Sequence, residues 1–159
     1  MDFKQRLQKA AERGEQAREA RQQEAAAKAL SEAECQRLHS SYRLELNDHI
    51  ESCMKQLAEN FPGFTFETVV SDKGWGAAIH RDDLSLNRGK RENLFSRLEL
   101  TISPFNKYHV IDLVAKGAIR NKENFTRNHF QKLAEADLDT FRELVELWTL
   151  DYAEEFAAS

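Results

Sequence analysis

Asn93-Leu94-Phe95-Ser96-Arg97-Leu98-Glu99-Leu100-Thr101-Ile102-Ser103 alternates without a break. Leu94, Ser96, Leu98, Leu100 and Ile102 face one way; Phe95, Arg97, Glu99 and Thr101 face the other. Side chains in an extended chain point to opposite faces in turn, so this pattern predicts a strand with one dry and one wetted face. Such strands belong to antiparallel sheets covered on one side only.

Toward the N-terminus, Phe64-Thr65-Phe66-Glu67-Thr68-Val69-Val70 alternates in the same way and is rich in β-formers. Ser71-Asp72-Lys73-Gly74 reads as a hairpin turn, with Trp75 to Arg81 as the returning strand. The polar stretch from Asp82 to Arg91 is expected to form a long loop. Toward the C-terminus, Pro104-Phe105-Asn106-Lys107 turns the chain into a fourth strand, Tyr108 to Ala115, which Gly117 breaks or bulges. Between 118 and 136 the anchors Ile119, Phe125, Phe130 and Leu133 are irregularly spaced, which fits a loop with a short helical turn or a fifth strand.

Helices flank the strands. Cys35, Leu38, Tyr42, Leu46, Ile50, Cys53 and Leu57 fall within about 120° of arc at helical spacing, an apolar stripe that ends at Pro62-Gly63. Ser31-Glu32-Ala33-Glu34 has the capping-box pattern, so this helix is expected to begin at Ser31. Asp137 or Asp139 caps a last helix, with Phe141, Leu144, Val145, Trp148, Tyr152 and Phe156 as its stripe. The expected fold is α+β: a four-stranded antiparallel meander packed on one face by both helices. Residues 1–30 hold only Phe3, Leu7 and Leu30 as large anchors among helix-forming Ala, Gln, Glu, Lys and Arg, and read as an extended, charged helical arm. Residues 31–159 are then a single domain.

Composition narrows the function. The chain has 159 residues, 31% charged and 41% hydrophobic, enough for a core without staples. It has no apolar run of the ~20 residues a membrane span needs, and Met1-Asp2-Phe3-Lys4-Gln5-Arg6 lacks the apolar region of a signal peptide. A cytoplasmic protein without membrane partners is expected. Cys35 and Cys53 lie eighteen residues apart on one helix, about 27 Å at a 1.5 Å rise, too far to bridge. Buried thiols flanked by boundary histidines are expected rather than a metal site built from Cys35-x3-His39 and His49-x3-Cys53.

No phosphate loop, dinucleotide fingerprint, nucleophile elbow or Cys-x2-Cys pair is present, so no cofactor is expected. His80-Arg81-Asp82-Asp83 joins an acid-base group to two carboxylates, and metal-dependent hydrolysis around His80 and Asp82, with His109, Asp112 or Glu99 approaching, ranks third among the functions considered. The second is an anion- or nucleic-acid-binding module built on the basic segment 73–132, which holds twelve Lys/Arg against six Asp/Glu. Its candidate residues are Arg88, Lys90, Arg91, Arg97, Lys116, Arg120 and Arg127, with Phe95, Tyr108 and Phe125 interleaved for stacking. A net charge of −4 for the whole chain argues against a dedicated nucleic-acid domain. The first is a non-enzymatic protein–protein interaction or adaptor domain that binds a protein partner or associates with itself. An uncovered basic, aromatic sheet face would favour nucleic acid, an exposed apolar stripe a protein, and a deep pocket around His80, Asp82 and His109 an enzyme.

Overall fold

The computed structural model describes residues 2–159; Met1 and the side chains of 28–30, Leu30 among them, lie outside that description. By internal contact the chain divides into a unit ending at Arg37 and a second unit, Leu38–Ser159. The first is helical from Phe3 onward, and its side chains from residue 2 to 27 are all exposed.

Helix α1 spans Phe3–Asn60 without interruption, so Ser31 does not start a helix. Ala, Glu, Gln and Arg on both sides carry the helix through, and capping residues are only mildly unfavourable in a helix interior. Within the second unit α1 buries His39, Leu46, Ile50, Met54 and Leu57, while Leu44 stays on the solvent side. The cysteines do not occupy the core: Cys35 and Cys53 are both free and half-buried, whereas His39 is fully buried.

Five strands follow: β1 (Thr65–Ser71), β2 (Gly74–Asn87), β3 (Lys90–Ile102), β4 (Val110–Ile119) and β5 (Lys122–Lys132). The sheet is a meander in chain order, with every neighbouring pair antiparallel. It has five strands rather than four, because residues 122–132 add an edge strand. The expected loop from Asp82 to Arg91 is instead strand on both sides of a two-residue turn, Arg88–Gly89, with φ of 52° and 77°. β4 continues past Ala115 to Ile119, with a register shift between Gly117 and Ile119 where a break or bulge was expected.

A short 3-10 turn, Leu133–Glu135, leads to α2 (Leu138–Ala158). The Asp137 side chain accepts a hydrogen bond from the Asp139 N–H and caps this helix. Leu98, Leu100 and Ile102 on β3 align with Ala77 and Ile79 on β2 and with Leu113 and Ala115 on β4, giving the dry face. α1 covers this face at β1 and β2, where the Arg43 guanidinium lies 3.5 Å from the Trp75 ring centre and the Lys55 ammonium 5.1 Å from that of Phe66. α2 covers β4 and β5, where the Tyr152 hydroxyl donates to the Ala118 carbonyl at 2.9 Å and its ring meets Phe125 edge-on. Gly76 is needed at its place: a Cβ there would lie 1.9 Å from the Leu100 carbonyl oxygen. No helix among the described residues is long and apolar enough to cross a membrane.

Candidate functional site

The helices cover one face of the sheet, and the other is open. Register places Glu67 of β1, His80 of β2, Arg97 and Glu99 of β3, and Lys116 of β4 on this open face. Arg97 binds Glu67 at 2.7 Å and approaches Glu99 at 3.8 Å, and its hydrogen bond holds the Glu67 carboxyl below the ordinary carboxylate range. Lys116 lies opposite Glu99 in register and has no ion-pair partner among the described residues. Phe95, Arg97, Glu99, Lys116 and Thr126 line a shallow hollow of about 290 Å³. The face is therefore a mosaic of both charges, not a basic platform.

Beyond this face β2 and β3 run on alone. The last β1 partner is at His80 and the first β4 partner at Arg97, so residues 81–96 form a two-stranded ribbon. Its root is held. Arg81 binds Asp83 at 2.7 Å and the Pro62 carbonyl at 3.1 Å, and Asn93 donates to Asp82 at 2.8 Å. Its outer part is bare. Leu84 and Leu86 are each 78% exposed and project, by register, on the side of Phe95 and Arg97, away from the helices. Arg88, Lys90 and Arg91 crowd the tip, exposed and without ion-pair partners among the described residues.

The seven candidate cations thus go to four places. Arg88, Lys90 and Arg91 come together at the ribbon tip, while Arg97 and Lys116 share the open face. Arg120 occupies the turn between β4 and β5, where its Nε donates to the Ser159 hydroxyl at 3.0 Å. Arg127 lies on the helix side of β5, its guanidinium 4.4 Å from the Phe125 ring centre, beside Asp151, Glu154 and Glu155 of α2. Only the first three form a compact exposed group. Of the stacking candidates, Phe125 is buried against Tyr152, and Tyr108 is exposed in the connection between β3 and β4.

The hydrolytic set does not assemble. His80 tilts over Phe95 at 6.4 Å, Asp82 is engaged by Asn93, and His109 stacks on Phe105 at 5.7 Å in the connection between β3 and β4. His39 Nε2 meets the Ser103 carbonyl at 3.0 Å, and burial pushes its pKa down. Cys53 and Glu146 lie 3.7 and 3.5 Å from His49 Nε2, and burial pushes the thiol pKa up. No group of three or more His, Cys, Asp or Glu among the described residues is placed to hold a metal ion.

Sequence reasoning passed over the exposed leucines. The signal was present: Asp82-Asp83-Leu84-Ser85-Leu86-Asn87 alternates, and Arg88-Gly89 is a two-residue hairpin connection with a glycine suited to positive φ. Comparison with known proteins found no family model, no curated protein and no solved structure that matches the chain.

Proposed function

We propose that the Leu38–Ser159 unit is a non-enzymatic protein-docking domain that offers the ribbon between β2 and β3, with the adjoining open face, to a protein partner. One observation carries this reading: Leu84 and Leu86, each 78% exposed, stand side by side on a ribbon whose outer part packs against nothing in this unit. Exposed leucines are unremarkable singly, but two adjoining ones on a projecting element make a contiguous apolar patch of the kind that marks an interaction surface. Fully burying both contributes about 3–6 kcal/mol, no more than the roughly 4–15 kcal/mol lost in association. The partner must therefore also meet the three cations at the tip. Nucleic acid is the less favoured occupant, because Arg97 is already neutralised and Lys116, Arg120 and Arg127 lie apart from the three tip cations.

A photo-crosslinking amino acid placed at Leu86 in the producing cells tests this. The expected result is discrete protein adducts that are absent when the same group replaces exposed Glu59 at the end of α1. Adducts no different between the two positions would overturn the reading. Nuclease-sensitive adducts at Leu86 would replace it with nucleic-acid binding.

A further inference from the structure

We infer that the ribbon's partner is a second copy of this chain: Leu84 and Leu86 of one copy seat in the groove between α1 and α2 of the other. This rests on the protein-docking reading and names its partner. The groove has a volume of about 490 Å³ and opens to solvent on the outer side of the helical layer. Cys53, Leu57, Leu150 and Ala153 supply its apolar lining and Glu146 its acidic edge. Leu150 is 65% exposed and Leu147 nearby 51%, so α2 carries an unpartnered apolar strip of its own.

Charge selects the occupant. Residues 84–92 carry Arg88, Lys90 and Arg91 against Glu92, a net of +2. On α2, Glu146 lines the groove and exposed Glu143 precedes it by about one turn, with no Lys or Arg between 143 and 155, while Asp151, Glu154 and Glu155 stand beside Arg127 of β5. Spacing agrees as well. Glu146 and Leu150, both lining the groove, lie about one turn apart along α2, about 6 Å at 1.5 Å per residue. Same-face residues of the ribbon repeat every two, about 6.8 Å apart at 3.4 Å per residue. The groove's Glu146 and Leu150 are thus spaced at nearly the pitch of the ribbon's same-face residues.

The two surfaces cannot meet within one copy. Leu84 and Leu86 project from the face of the sheet opposite to the helices, and the groove lies on the far side of those helices. A basic, apolar ribbon and an acidic, apolar groove on opposite faces of one molecule satisfy each other only between molecules, by a contact that uses different surfaces on the two partners.

Sedimentation of the full chain over a range of concentrations reads this directly. The wild type is expected to associate reversibly, at least tenfold more weakly when salt rises from about 50 mM to about 500 mM, because exposed charges are then screened. The ribbon triple variant Arg88→Glu/Lys90→Glu/Arg91→Glu and the groove double variant Glu143→Lys/Glu146→Lys should each lose association at least tenfold while melting like the wild type. Mixing the two reversed proteins should restore a complex, since the native ribbon of the groove variant then meets the native groove of the ribbon variant. Leu84→Ser/Leu86→Ser should lose association alone and when mixed with the ribbon variant, and regain it when mixed with the groove variant, whose ribbon is intact. A wild type that stays monomeric at low salt, or association indifferent to both reversals, overturns the inference. If that happens while Leu86 still crosslinks to a different protein in cells, the docking reading stands and only the choice of partner falls; if the crosslinks fail too, both fall.

Discussion

Two hairpins, β2–β3 and β4–β5, end in turns of the same kind: Arg88–Gly89 with φ of 52° and 77°, and Arg120–Asn121 with φ of 48° and 69°. The second turn is tied down. Asn121 donates from its main chain to the Phe95 carbonyl and from its side chain to the Asn93 carbonyl, and accepts from the Phe95 N–H, each at 2.8 Å. The Arg120 N–H reaches the Ser96 hydroxyl at 3.0 Å, and Tyr152 holds the strand behind it at Ala118. None of the tip residues 84–92 makes a comparable side-chain bond. Turn chemistry decides where a chain reverses, and neighbours decide whether the reversal is fixed. One hairpin is part of the core, and the other stands exposed at its tip.

Substitution at the two hairpins should separate them sharply. Phe125→Ala removes a 1%-exposed ring packed on Tyr152 and should cost about 3–5 kcal/mol in a urea melt. Leu86→Ala, at 78% exposure, should cost less than about 0.5 kcal/mol. Equal costs would mean that the ribbon is packed and would break the comparison. The turns give the next effect. Asn121→Ala loses two side-chain hydrogen bonds and puts at φ 69° a residue that tolerates the left-handed region less well than Asn, for about 2–4 kcal/mol. Asn121→Gly should recover about 1 kcal/mol of that by removing the strain. Gly89→Ala adds only the strain, about 1–2 kcal/mol, because nothing lies within 4 Å of its Cβ.

Acid should act on the packed body and leave the ribbon's contribution unchanged. Burial lowers the His39 pKa, so the unfolded chain takes up its proton first as pH falls. Stability from this group is full above the ordinary value near 6.5 and is lost as pH drops below it toward the folded pKa. Thermal melts between about pH 8 and pH 5 should fall in the wild type and fall less in His39→Gln. The smallest effects belong to exposed charge. Arg88→Glu/Lys90→Glu/Arg91→Glu should leave unfolding free energy within about 0.5 kcal/mol. Deleting residues 1–30 should do the same for the cooperative transition of Leu38–Ser159, and a lost transition would place the arm in the core.

The elements that could be read from sequence were those with one dry and one wet side. The β3 alternation and the α2 stripe are imprints of a single buried face, and both elements formed where the pattern put them. β5 was obscure because it is an edge strand: its covered side holds Phe125, Arg127 and His129, two of them polar groups lying against aromatic rings. The ribbon was obscure for the opposite reason. Leu84 and Leu86 alternate like core residues but face solvent, because they point from the sheet face that no helix covers. The candidate cations were gathered by nearness in sequence, which does not register that Arg97 and Arg127 lie on opposite faces of the sheet. The groove of the inferred contact needs α1 and α2 side by side, residues about a hundred apart, and no local pattern encodes that.

The order of elements along the chain also has a consequence in time. α2 comes after every strand, and it covers Phe125 and the neighbouring part of the dry face. A ribosome adds roughly 5–20 residues per second, so the 26 residues from Lys132 to Ala158 take on the order of one to five seconds. For that interval the strands have been made but their second lid has not, and the charged residues of the edge strand β5, Lys122, Glu123, Arg127 and Lys132, disfavour its pairing with a neighbouring nascent chain.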